Sequence, residues 1–153
     1  MDKKIFDKEL EGNIIAAMIM ERECFEAAQD KGISPDDFVH PAFNKAYNIM
    51  FTNNVNDYVS VSSAMDNETQ SQEIKEEARG FISSAPFSHW LTLLLIKSAH
   101  RKLNNLGDEI PKIVHEEGSI EEKIDRVNAK LMENKITKNF GIPKLAKDIS
   151  VNI

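Results

Sequence analysis

The chain has 153 residues, 41% hydrophobic and 29% charged, enough for one domain with a real core and at most a small appendage. Six glycines and five prolines are too few for a turn-rich sandwich or a low-complexity chain, and a single cysteine, Cys24, excludes an intramolecular disulfide and fits a reducing, cytoplasmic setting. The formal charge of −6 is uneven: residues 1–80 carry eight basic and sixteen acidic side chains, residues 81–153 eleven and nine. An acidic first half disfavours direct contact with nucleic acid, which needs clustered Lys and Arg.

Nearly every segment reads as helix. The start, MDKKIFDKELEGN, lacks the apolar stretch of a secretory signal. Phe6–Met20 places Leu10, Ile14, Ala17 and Met18 on one face, with Gly12 either weakening the helix or admitting a close neighbour. Glu21–Gln29 continues as a second helix, and Gly32 is a natural left-handed stop. Ser34-Pro35-Asp36-Asp37 has the residues of a helix start, and Pro41–Phe51 is amphipathic through Phe43, Ala46, Tyr47 and Met50. Residues 53–57, NNVND, predict a turn. Tyr58–Val61 reads as a short strand, or Ser60–Met65 as a short helix. Asp66–Ser71 is expected to be a loop, and Glu73–Ser83 a helix with Ile74, Ala78, Phe81 and Ile82 on one side.

Ser84-Ala85-Pro86-Phe87 separates the acidic half from the basic half. After it, Ser88–Ile110 is the longest helical pattern. Its opening, Trp90 through Ile96, is apolar almost all round, so cover on two sides is expected, by its own domain and by something else. The longest apolar run, Leu93–Ile96, is far short of the about 20 residues that span a bilayer. Leu103, Leu106 and Ile110 continue the stripe, and Pro111 is expected to kink or restart the helix. Ser119 with Glu122 forms a capping box, opening a helix with Ile120, Ile124, Val127 and Leu131 in a narrow seam. Two long helices joined around His115–Gly118 make a hairpin. Lys144–Ile153, after Ile142-Pro143, reads as a short amphipathic helix through Leu145 and Ile149, suited to docking on a neighbouring subunit.

Catalytic signatures are missing. Glycines at 12, 32, 80, 107, 118 and 141 cannot build a phosphate-binding loop, so the chain alone is not expected to hydrolyse ATP. His40, His89, His100 and His115 are scattered; His89 and His100 share a face but stand ~16 Å apart at a helical rise, too far for one metal ion. Cys24 reads as small apolar filler, the Asp36-Asp37 pair as helix-start acids, and Lys97 with Arg101 as a solvated or salt-bridged face rather than a phosphate contact. No cofactor or metal is expected.

The order of features resembles the N-terminal domain of DnaB-type replicative helicases of bacteria and phages. The carrying blocks are residues 9–20 (ELEGNIIAAMIM); Asp36-Asp37-Phe38 followed by His40-Pro41 and a helix ending Ile49-Met50-Phe51; Trp90–Ile110 with Lys97 and Arg101; the Ser119 helix; and Ile142-Pro143-Lys144-Leu145-Ala146. Residues 57–84 depart from the pattern, being shorter and lacking the family's glycine-rich step there. The resemblance implies an all-α fold: a globular helical bundle over residues 1–84, a helical hairpin over 88–134, and a linker with a docking helix over 135–153. It implies pairing through hairpins into a collar on a six-membered ring that receives primase and loader proteins, and a linker helix that docks on the neighbouring subunit's motor.

The expected role is thus a protein-interaction module of DNA replication, either a piece of an ATP-dependent helicase or a stand-alone, phage-type regulator of one. Its expected partners are itself or a DnaB-type helicase as dimer or ring, with primase or a loader, little DNA contact and no membrane. The expected interface residues are Trp90, Leu91, Leu94, Leu95, Lys97, Arg101, Ile120, Ile124, Val127 and Leu131; the expected docking residues are Ile142, Leu145 and Ile149. The alternative is a helical protein that binds DNA directly, recognisable by salt-dependent binding.

Overall fold

The computed structural model describes residues 7–134, and among them every regular element is helical. The α-helices are α1 (Lys8–Met20), α2 (Arg22–Asp30), α3 (Pro41–Asn53), α4 (Tyr58–Met65), α5 (Glu68–Arg79), α6 (Phe87–His115) and α7 (Ile120–Asn134), with one 3-10 turn at Pro35–Asp37. The all-α expectation holds. The chain divides into two compact units, one through Ser98 and the other from Ala99, so the break at residues 80–86 lies inside the first unit and α6 contributes to both.

The first unit is organised around α1. Asp7 caps it, its carboxylate accepting the Leu10 N–H at 3.1 Å. From Leu10 to Ile19 every residue but Asn13 is buried, and α1 packs against α2, α3 and α5. A helix surrounded on several sides is apolar all round rather than striped, so the single face expected for it understates its burial. Gly12 has a close neighbour, as one of its two readings proposed: a Cβ there would lie 2.5 Å from Glu77 Oε1 on α5. The core is completed by Phe25, Ile33, Phe43, Tyr47, Met50, Met65, Ile74, Leu94 and Leu95.

Local chemistry sets the helix ends. Gly32 stops the second helix at φ 84°, and Asn54 ends α3 in the left-handed region at φ 55°. Arg22 holds that corner, donating to Asn54 Oδ1 at 2.8 Å and to Asn56 Oδ1 at 3.2 Å. Asn56 Nδ2 in turn donates to the Met18 carbonyl at 2.8 Å. Residues 58–65 form a helix, not a strand, because Asp57 accepts the Ser60 N–H at 2.9 Å and starts it. The expected loop at Asp66–Ser71 is already the start of α5: Asn67 caps it by accepting the Gln70 N–H at 2.9 Å. That helix stops at Gly80, so Phe81 and Ile82 lie beyond it.

In the second unit Ser119 caps α7, accepting the Glu122 N–H at 3.1 Å. Lys123 Nζ donates to the Val114 carbonyl at 2.8 Å, Arg126 pairs with Glu116 at 2.8 Å, and Lys130 with Glu109 at 3.8 Å. These contacts make α7 antiparallel to the end of α6. Pro111 neither ends nor restarts α6. Its missing N–H would have served the carbonyl of Gly107, and both residues are exposed, so water can take that carbonyl.

Candidate interaction surface

The expected interface residues separate into three groups. Leu91, Leu94 and Leu95 are buried within the chain. With Ser98 they occupy positions i, i+3, i+4 and i+7, one stripe of a helix. Ser98 Oγ donates to Asp37 Oδ1 at 2.6 Å, tying this stretch of α6 to the 3-10 turn. Of the expected interface residues, Leu91, Leu94 and Leu95 thus face the first unit's own core, which supplies the own-domain side of the two-sided cover expected for this run. A glutamate at Leu94 or Leu95 would break the first unit's own core rather than report on association. What remains toward solvent there is Ile96, with Trp90 and Leu93 half-buried.

Lys97 and Arg101 are half-buried and each already has a partner in the chain. On α7 the outcome is different. Ile120 is 69% exposed, Ile124 52% and Leu131 43%, with Val127 half-buried between them. Their spacings of four, three and four put them on one face. Met132, and Leu103 and Val114 on α6, are exposed as well. Ile142, Leu145 and Ile149 lie outside the described residues.

The groups considered for catalysis have structural duties. Cys24 is buried, and burial, followed by the neighbouring Glu21 carboxylate, pushes its thiol above the usual range, the reverse of an activated nucleophile. Glu21 also accepts from Ser84 Oγ at 2.9 Å. Asp37 is buried, accepting the Ser34 N–H at 2.8 Å besides Ser98. His40 Nε2 lies 2.6 Å from Glu73 Oε2, with its ring 4.6 Å from that of Phe43. Among the described residues no group of three or more His, Cys, Asp or Glu side chains could hold a metal ion, and no helix is long and apolar enough to cross a membrane.

One residue that the sequence reading passed over is central. Glu11 is 1% exposed, yet its carboxylate accepts the N–H groups of Val39, at 2.9 Å, and His40, at 3.0 Å. It sits at the positive end of α3, where a buried negative charge is stabilised by backbone donors and the helix dipole.

No protein-family model matches the chain, and no curated protein matches its sequence. Among solved structures it matches the crystal structure of the N-terminal domain of DnaB helicase from Mycobacterium tuberculosis, with a TM-score of 0.69 and 16% identity over 84% of this chain and 98% of that one. The fold is that of the DnaB N-terminal domain. At this identity the likeness lies in the helical framework, which many apolar side-chain sets can fill.

Proposed function

We propose that this chain is a protein-interaction module of DNA replication that works as a helicase collar: it pairs with a second copy, or with a DnaB-type helicase, through its hairpin, and presents the assembled collar to a primase or a helicase loader. The observation carrying this reading is the solvent-facing apolar row Ile120, Ile124 and Leu131 within a DnaB N-terminal fold. An amphipathic helix whose apolar face stays in water is stabilised when another helix covers it. The acidic first half supports partners that are proteins rather than DNA.

Sedimentation of the wild-type chain and of an Ile120→Glu, Ile124→Glu double variant tests the reading. Both sites are exposed, so the variant keeps its helical circular dichroism while its association constant falls by at least about a hundredfold, as expected for a charge placed in a helix–helix seam. An oligomer unchanged by the double variant, together with no co-elution with a DnaB-type helicase, refutes it.

A further inference from the structure

A second apolar surface lies wholly inside the first unit. A groove of ≈ 320 Å³ is lined by Asn13 and Ala16 of α1, Glu77 of α5, Phe81, Ile82 and Pro86 of the connection after it, and Trp90 of α6. Ile82 is 94% exposed, an extreme value for an isoleucine that is not at a chain end. Trp90 is half-buried and meets Phe87 edge-on at 6.4 Å. At the rim Glu77 is half-buried, and its carboxylate makes no hydrogen bond or salt bridge with a described residue, although Lys8 and His40 act on its charge. Burial raises its carboxyl above the usual range; Lys8 lowers it less, and Glu73 adds to the rise. An apolar trough with a partly buried carboxylate at its edge suits an apolar segment that brings a cation.

This chain carries such a segment outside the described residues. Ile142, Leu145, Ile149 and Ile153 are spaced by three, four and four, Lys144 adjoins Leu145, and residues 135–153 hold four lysines against one aspartate. We propose that the groove of one copy takes the segment Ile142–Ile153 of a neighbouring copy, its apolar row against Trp90 and Ile82 and Lys144 against Glu77. The inference goes beyond the collar reading and draws on it only for the nearness of a second copy, because its surface is in the first unit and not on α7. In an assembly that holds copies together, the effective concentration of the segment would be high enough for a modest groove to fill.

Trp90 is the chain's single tryptophan, so its fluorescence reads the groove directly. In the full chain its emission should move to shorter wavelength as protein concentration rises. In a full chain carrying Leu145→Asp and Ile149→Asp it should stay at longer wavelength, and a synthetic peptide of residues 142–153 added to that variant should restore the shift saturably. Ile82→Asp, at a site with no packing role, should abolish peptide binding. Glu77→Lys should weaken it about tenfold, and a peptide with Lys144→Glu should recover the loss. The inference is overturned if wild type and tail variant respond identically to concentration, if the peptide causes no shift, or if a tail-dependent shift is independent of concentration, which would make the occupant the chain's own tail. Adding Ile120→Glu and Ile124→Glu to the tail variant should leave its binding of the peptide unchanged, so the collar reading and this one fail separately.

Discussion

Two regions of one chain, both helical, treat their apolar side chains in opposite ways. Through Ser98 the apolar residues of α1, α3 and the start of α6 converge on a closed core, and even the buried carboxylates of Glu11 and Asp37 find donors. From Ala99 to Asn134 only Leu106 and Ile113 are buried apolar side chains, while Leu103, Val114, Ile120, Ile124, Leu131 and Met132 are exposed. The second stretch is held by a cap and by exposed ion pairs, each worth ~0.2–1 kcal/mol. A region built that way gains most by meeting another surface. The closed core of the first gains nothing from such a meeting; only its surface groove at Ile82 and Trp90 does.

That contrast can be broken first where it is strongest. Phe43→Ala in the first unit should cost about 3–5 kcal/mol in urea unfolding, because a fully buried ring leaves a cavity. A loss under 1 kcal/mol would mean the core is not closed. Next, Glu11→Ala should cost about 2–3 kcal/mol, since the N–H groups of Val39 and His40 lose a charged acceptor; Glu11→Gln, retaining one oxygen, should recover part of it. In the hairpin turn, Gly118 has φ 136°, so Gly118→Ala should destabilise α7 by about 1 kcal/mol, read by amide exchange of residues 120–134. Ile124→Ala should change monomer stability by less than about 0.5 kcal/mol, the value for an exposed site.

The smallest effect is a pH dependence. Glu77's folded pKa is raised, so the folded state holds its proton more tightly than the unfolded chain does, and stability falls as pH rises through the carboxylate range. Glu77→Gln removes that loss. Its melting temperature should match wild type near pH 4 and exceed it slightly at pH 7; equal values at both would show that the carboxylate is not penalised.

Much of this was legible in the sequence. Gly32 and the Ser119 cap are local signals, and both were read correctly because the chemistry that sets a helix end lies within four residues of it. The loop expected at residues 66–71 differs for a related reason: the first turn of α5 is polar throughout, with Glu68 and Thr69 exposed, and the cap at Asn67 is the signal to weigh. Periodicity also misjudged which helix is surrounded. Small residues at 12, 16 and 17 let neighbours approach α1 closely, whereas the bulkier run from Trp90 divides into a buried stripe and an exposed remainder. The exposed face of α7 was visible as a seam, but whether α6 would cover it is a tertiary fact. Glu11 could not have been found, because its partners lie 28 and 29 residues away.

The reach of Glu11 bears on how the first unit comes apart. Its carboxylate belongs to one helix and terminates another, so neither can fray without exposing the same buried charge and its orphaned amides. Opening there should be collective: amides of α1 and the first turn of α3 should exchange with a common free energy close to that of global unfolding, while the hairpin loses its protection earlier.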